Sequence, residues 1–269
     1  MLGKLFKYEM RATGRIFLPT YLVLLAFAIL TRFSLSVNHF DFDRVSDLAA
    51  IFMTTVIAGY VLAIFGVFIV AFVVIIQRFY KNLTGDEGYL MFTLPVNTWE
   101  LVTSKLLSAL VWQLVTAAAV VVSLCILLFR LEYLPDMMDA FRWFWREVNM
   151  EIGVNLAAFI LEMLLLMVLG AVQGTLMIYA SIAIGHTIHK HRVLGAVGAY
   201  IGLSVAIQFA SSIAMLPLGL TSFRTDWYSM NPTAAFHMIM LASAILCLIV
   251  GAILFFITTY ILGRQLNLE

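Results

Sequence analysis

Apolar positions in this chain gather into six long runs, and polar positions fill the short segments between them. The runs are residues 16–37, 51–76, 104–129, 153–184, 193–216 and 233–262. A helix needs roughly 20 apolar residues to cross a hydrocarbon core of about 30 Å. The pattern therefore predicts an all-α integral membrane protein with six transmembrane helices.

The composition strengthens this prediction and limits the function. Of the 269 residues, 63% are hydrophobic and 12% are charged, and no polar stretch is long enough for a separate soluble domain. We interpret residues 1–269 as a single transmembrane domain whose soluble catalytic machinery, if needed, belongs to a partner. The formal net charge of +1 gives no indication of a nucleic-acid partner.

The distribution of basic residues predicts the orientation. Six predicted spans put both termini on one side, and ten of the 16 Lys and Arg residues fall on that side: Lys4, Lys7, Arg11, Arg15, Arg78, Lys81, Lys105, Lys190, Arg192 and Arg264. The opposite side holds Arg32, Arg44, Arg130, Arg142, Arg146 and Arg224, together with most of the acidic residues. Because Lys and Arg are enriched in cytoplasmic loops, we expect both termini in the cytoplasm.

The first 15 residues have the pattern of an amphipathic basic helix. Leu2, Leu5, Phe6 and Met10 recur at helical spacing, and Lys and Arg occupy much of the remaining surface. Residues 1–15 are therefore expected to lie in the inner interface of the membrane. Such a helix either anchors the chain to anionic lipid or also braces a cytoplasmic partner.

Residues 77–105, QRFYKNLTGDEGYLMFTLPVNTWELVTSK, form the main cytoplasmic loop in this topology. Arg78 and Lys81 close the second span, and two glycines and Pro95 allow turns. Asn97 and Glu100 have the spacing of a capping box for the next helix. Between the turns lie Asp86, Glu87 and the apolar side chains of Tyr89, Leu90, Met91, Phe92 and Leu94. A short helix here would suit a groove in another protein, or its aromatic side chains would rest on lipid headgroups as a re-entrant turn.

The basic first helix, the six spans and the loop FYKNLTGDEGYLMFTLPVNTWELVTSK together resemble the membrane subunits of type 2 ABC exporters, especially small bacterial permeases. The layout is similar over the whole chain, and the specific likeness is confined to residues 78–105. The resemblance implies a cytoplasmic coupling helix between helices two and three that docks on a separate ABC ATPase. The implied docking residues are Asp86, Glu87, Tyr89, Leu90, Phe92 and Leu94, flanked by Arg78 and Lys81.

The same resemblance implies a homodimer or heterodimer of two permease halves in the plasma membrane, moving substrate by alternating access. ATP and Mg would be bound by the partner ATPase, and this chain carries no GxxxxGK[ST] phosphate loop of its own. We therefore expect a permease subunit and not an enzyme, with no cofactor bound directly. Its apolar spans favour a hydrophobic or amphipathic cargo, such as an antimicrobial peptide, a drug or a lipid.

Polar side chains inside or beside the spans are further candidates. Glu162, Gln173 and Gln208 form a candidate intramembrane polar site, in which Glu162 is interpreted as hydrogen-bonded and an ion-coupling role is the alternative. Residues 130–152 are expected to form an extracytoplasmic amphipathic segment, as an anchor or as a lid near a substrate exit. The histidines of GHTIHKHR are interpreted as part of a basic turn, so no metal site is predicted.

Two other classes of function stay open. A stand-alone channel or secondary carrier would be expected to have broken or polar helices at mid-membrane, and these spans are almost wholly apolar. An intramembrane enzyme would need a nucleophile or several metal ligands within the spans, and Glu162 alone does not provide them.

Overall fold

The computed structural model describes residues 2–37, 47–81, 96–128, 134–147, 156–188, 191–224 and 232–264. These residues are almost entirely helical and include no strand. The helices are α1 (Leu2–Val37), α2 (Asp47–Phe79), α3 (Thr98–Leu128), α4 (Leu134–Glu147), α5 (Leu156–His186), α6 (Arg192–Arg224) and α7 (Pro232–Arg264). All six predicted docking residues, from Asp86 to Leu94, lie outside the described residues.

The predicted all-helical class is confirmed for the described residues. Within the described ranges, six helices are long and apolar enough to cross a membrane, namely all except α4. Each contains most or all of the corresponding apolar run, and most extend beyond it by several residues. The fold is thus compatible with a multi-pass membrane protein.

Helix ends follow local sequence signals. Residue Asn97 immediately precedes α3, and its carbonyl oxygen accepts a hydrogen bond from the Glu100 amide at 2.9 Å. Helix α7 begins at Pro232, a position where the missing N–H has no helical partner to lose. Helix α1 continues without interruption from Leu2 to Val37, so the basic segment at residues 2–15 and the first span form a single helix.

The chain divides into two compact units. The first comprises Met1–Arg78 and Leu107–Met137, and the second comprises Phe79–Leu106 and Met138–Glu269. In the first unit, the Phe17 ring of α1 stacks on Trp112 of α3 with centroids 4.5 Å apart. The Trp112 indole donates a hydrogen bond to the Thr13 hydroxyl at 2.6 Å, and the hydroxyls of Tyr21 and Thr116 are 2.7 Å apart. Aromatic packing with paired polar atoms therefore joins α1 to α3.

In the second unit, α5 packs against both α6 and α7. Helices α5 and α6 approach each other closely at Gly185, where an added Cβ would lie only 2.6 Å from the Ala196 Cα. The turn between these two helices is short, so their ends are held together. The unit therefore needs glycine at position 185.

Two glycine motifs do not pack as the sequence suggested. We expected GAVQG at Gly170–Gly174 and GAYIG at Gly198–Gly202 to mark close helix contacts. A Cβ added at Gly170, Gly174, Gly198 or Gly202 would meet no described atom within 4 Å. Among the described residues, close contact between α5 and α6 occurs at Gly185 and not at these four glycines.

Candidate functional site

Tyr179 of α5 contacts both segments that flank the predicted coupling loop. Its ring stacks on Phe79, the last residue of α2, with centroids 3.9 Å apart and planes inclined by 10°. Its hydroxyl donates a hydrogen bond to the backbone carbonyl of Lys105 in α3 at 3.3 Å. We call Phe79, Lys105 and Tyr179 the Tyr179 junction. Both chain segments that flank residues 82–95 are thereby attached to one side chain.

The Tyr179 junction is densely packed. Phe79 and Tyr179 are almost fully buried. Lys105, one of the basic residues on the predicted cytoplasmic side, is also buried, with 4% of its surface exposed. Beside the junction, the rings of Tyr80 and His186 lie 5.1 Å apart. Arg78 is partly buried and Lys81 is exposed, as expected for charges near the end of a helix.

A second polar site lies at the other end of α5. Glu162 Oε1 and His237 Nδ1 of α7 are 2.7 Å apart. Their side chains are 30% and 35% exposed, respectively. Glu162 Oε2 is buried and has no hydrogen-bond partner among the described residues. The carboxylate therefore has one satisfied oxygen and one that is unpaired.

Aromatic side chains adjoin this pair. The rings of Phe159 and Phe236 lie 5.6 Å apart, and the Phe236 ring lies edge-on to His237 at 6.0 Å. Glu162 and His237 each lie within about two turns of the first residue of their helices. Helices α5 and α7 therefore meet close to their first residues. We call Glu162 and His237 the Glu–His pair.

Sequence reasoning missed His237 and the Tyr179 junction. It identified Glu162 and the expected hydrogen bond, but found no titratable partner, because the two residues are 75 positions apart. The available signal was depth in the membrane. His237 and Glu162 lie shortly after the starts of two spans that enter the membrane from the same predicted side. A comparison of polar residues by depth would have paired them.

The other predicted polar residues do not join the pair. Gln173 is on the same face of α5 as Glu162, but about 16 Å further along the helix axis. Gln208 is exposed on α6. In the basic turn, His186 and His191 are described and His189 is not. No group of three metal-ligating side chains occurs within the described part of the chain.

Comparison with known proteins gave no relative for this chain. It matches no protein-family model, no curated protein and no solved structure.

Proposed function

We propose that this chain is the transmembrane permease subunit of a type 2 ABC exporter. Two such halves, identical or different, form a path for a hydrophobic or amphipathic substrate in the plasma membrane. A separate cytoplasmic ABC ATPase supplies the energy. Residues 86–94 of the loop dock on that ATPase, and both chain termini lie on the same cytoplasmic side.

The Tyr179 junction carries this proposal. A loop that transmits force must be attached firmly to the part that moves, since a flexible attachment would absorb the displacement. Here the Phe79 stack and the Lys105 hydrogen bond connect both flanks of the loop to α5. The buried aromatic stack provides stabilisation of about 0.5–1.5 kcal/mol beyond its apolar burial. A displacement of the loop therefore reaches α5 directly.

Helix α5 suits this role because it is long and continuous. Its 31 residues extend over roughly 45 Å, enough to carry a tilt across the whole membrane. Nucleotide can bias the permease only through contacts that differ between its two states. In this mechanism those differential contacts are made by Asp86, Glu87 and the apolar residues of the loop.

Copurification with an ATPase tests the docking step. The chain is coexpressed with ABC ATPases of its source organism, and the detergent-solubilised complex is isolated through a tag on the permease. Leu90→Asp or Phe92→Asp is expected to reduce ATPase recovery about tenfold or more, because a charge is forced into an apolar contact. Membrane insertion should be unchanged.

Asn82→Asp is the matched control, since it adds the same charge to the same loop outside the implied docking set. It should leave ATPase recovery close to that of the unmodified chain. Equal recovery with Leu90→Asp, Phe92→Asp and the unmodified chain would remove the docking role.

A secondary carrier is the second candidate, and the Glu–His pair is the observation that favours it. Two adjacent titratable side chains in predicted spans are a common arrangement for proton-coupled transport. This function requires the purified chain to accumulate substrate in liposomes from a proton gradient alone. The exporter function requires ATP and the ATPase in the same assay.

A further inference from the structure

We infer that the Glu–His pair is a binding site for the cationic headgroup of an amphiphile, either an ammonium or a guanidinium group. As a statement about exported cargo, this inference rests on the proposed function. As a statement about ligand binding, it concerns only the second unit of this chain.

The unpaired carboxylate oxygen is the first observation. Oε1 of Glu162 is held by His237 at 2.7 Å, whereas Oε2 is buried with no described partner. An unpaired acceptor in an apolar environment is unfavourable. A modest rotation of the Glu162 side chain toward the exposed part of the pair would let Oε2 accept a hydrogen bond from an N–H donor of the ligand.

The negative charge of the Glu162 carboxylate favours a cationic ligand over a neutral hydrogen-bond donor. When Nδ1 of a neutral imidazole donates to Oε1, the negative charge of the carboxylate is not cancelled. One ammonium or guanidinium group then makes the whole site neutral, and its hydrogen bond to Oε2 is charge-assisted. A divalent metal is a poorer match, because it requires several oxygen or nitrogen ligands and no group of three occurs among the described residues.

The surroundings select an amphiphile over a small hydrophilic cation. Phe159 and Phe236 lie beside the pair, and aromatic faces attract cations as well as alkyl chains. Leu165 and Leu241 follow Glu162 and His237 by about one helical turn, and both are exposed. An alkyl chain has apolar side chains to contact on either helix once its headgroup is bound at the pair.

Binding of two amphiphiles that differ only in headgroup tests the inference. The full-length chain in zwitterionic lipid nanodiscs is titrated with tritiated tetradecylamine and, separately, with tritiated tetradecanol at about pH 8, where an ordinary imidazole is mostly neutral. We expect the amine to bind at least about tenfold more tightly than the alcohol, as one charge-assisted hydrogen bond implies. Glu162→Gln should remove that preference and leave alcohol binding unchanged.

Two substitutions of His237 test its positioning role. His237→Asn keeps an N–H donor near the carboxylate and should preserve most of the preference, whereas His237→Leu should remove it. Gln173→Leu, on the same face of α5, is the control and should bind like the unmodified chain. Unchanged alcohol binding in each variant shows that the chain is folded.

Two results would overturn the inference: equal affinity of the unmodified chain for amine and alcohol, or an unchanged preference in Glu162→Gln. The assay contains no ATPase, so its outcome is independent of the docking test. Amine binding without ATPase pairing would contradict the exporter, and pairing without an amine preference would contradict only this site.

Discussion

At the scale of single residues, the second unit contains positions where only one amino acid fits. Gly185 is one of them, since the backbone of Ala196 occupies the space that a Cβ would need. Gly170 lies on the same helix with no described atom within 4 Å of an added Cβ. The two glycines therefore allow a matched comparison within α5.

We predict opposite effects of alanine at these two positions. Gly170→Ala should raise stability by up to about 1 kcal/mol, because alanine is the better helix former. Gly185→Ala should lower it by about 1–3 kcal/mol, because the backbones of α5 and α6 must move apart. The thermal midpoint of the detergent-solubilised chain measures both. A Gly185→Ala variant as stable as Gly170→Ala would contradict the close approach.

At the scale of helices, the sequence was sufficient to predict the six long apolar helices. Six apolar runs predicted six candidate spans, and Asn97 indicated where one helix begins, because these signals depend on neighbouring residues. Contacts between helices that are far apart in sequence could not be predicted from such local signals. The pairing of Glu162 with His237, and of Tyr179 with Phe79 and Lys105, depends on which helices pack together and in what register.

Helix α5 should transmit movement of the loop through Tyr179. Tyr179→Leu removes the stack on Phe79 and should reduce the substrate-stimulated ATP hydrolysis of the permease–ATPase complex several-fold while the subunits still copurify. Tyr179→Phe keeps the stack and loses one neutral hydrogen bond, worth about 1 kcal/mol, so its activity should fall much less.

Tyr260→Leu is the control for this comparison, because Tyr260 is partly exposed and stacks on Phe256 of its own helix. Its substrate-stimulated hydrolysis should stay near that of the unmodified complex. Full stimulation in Tyr179→Leu would show that the Tyr179 junction does not carry the coupling.

At the scale of the whole molecule, six of the described helices are long and apolar. Its sequence contains no GxxxxGK[ST] phosphate loop. Its longest polar segment between the apolar runs, residues 77–105, is also the one whose two flanks contact a single buried tyrosine. We therefore propose that an external energy source acts on this protein through this segment.

Photo-crosslinking at this loop in living cells tests that idea most directly. A benzoylphenylalanine residue replaces Phe92, or replaces Trp143 of α4 as the control, and mass spectrometry identifies the adducts after irradiation. We predict an adduct with an ABC ATPase from position 92 and none from position 143. Adducts with lipid alone from position 92 would contradict the central claim.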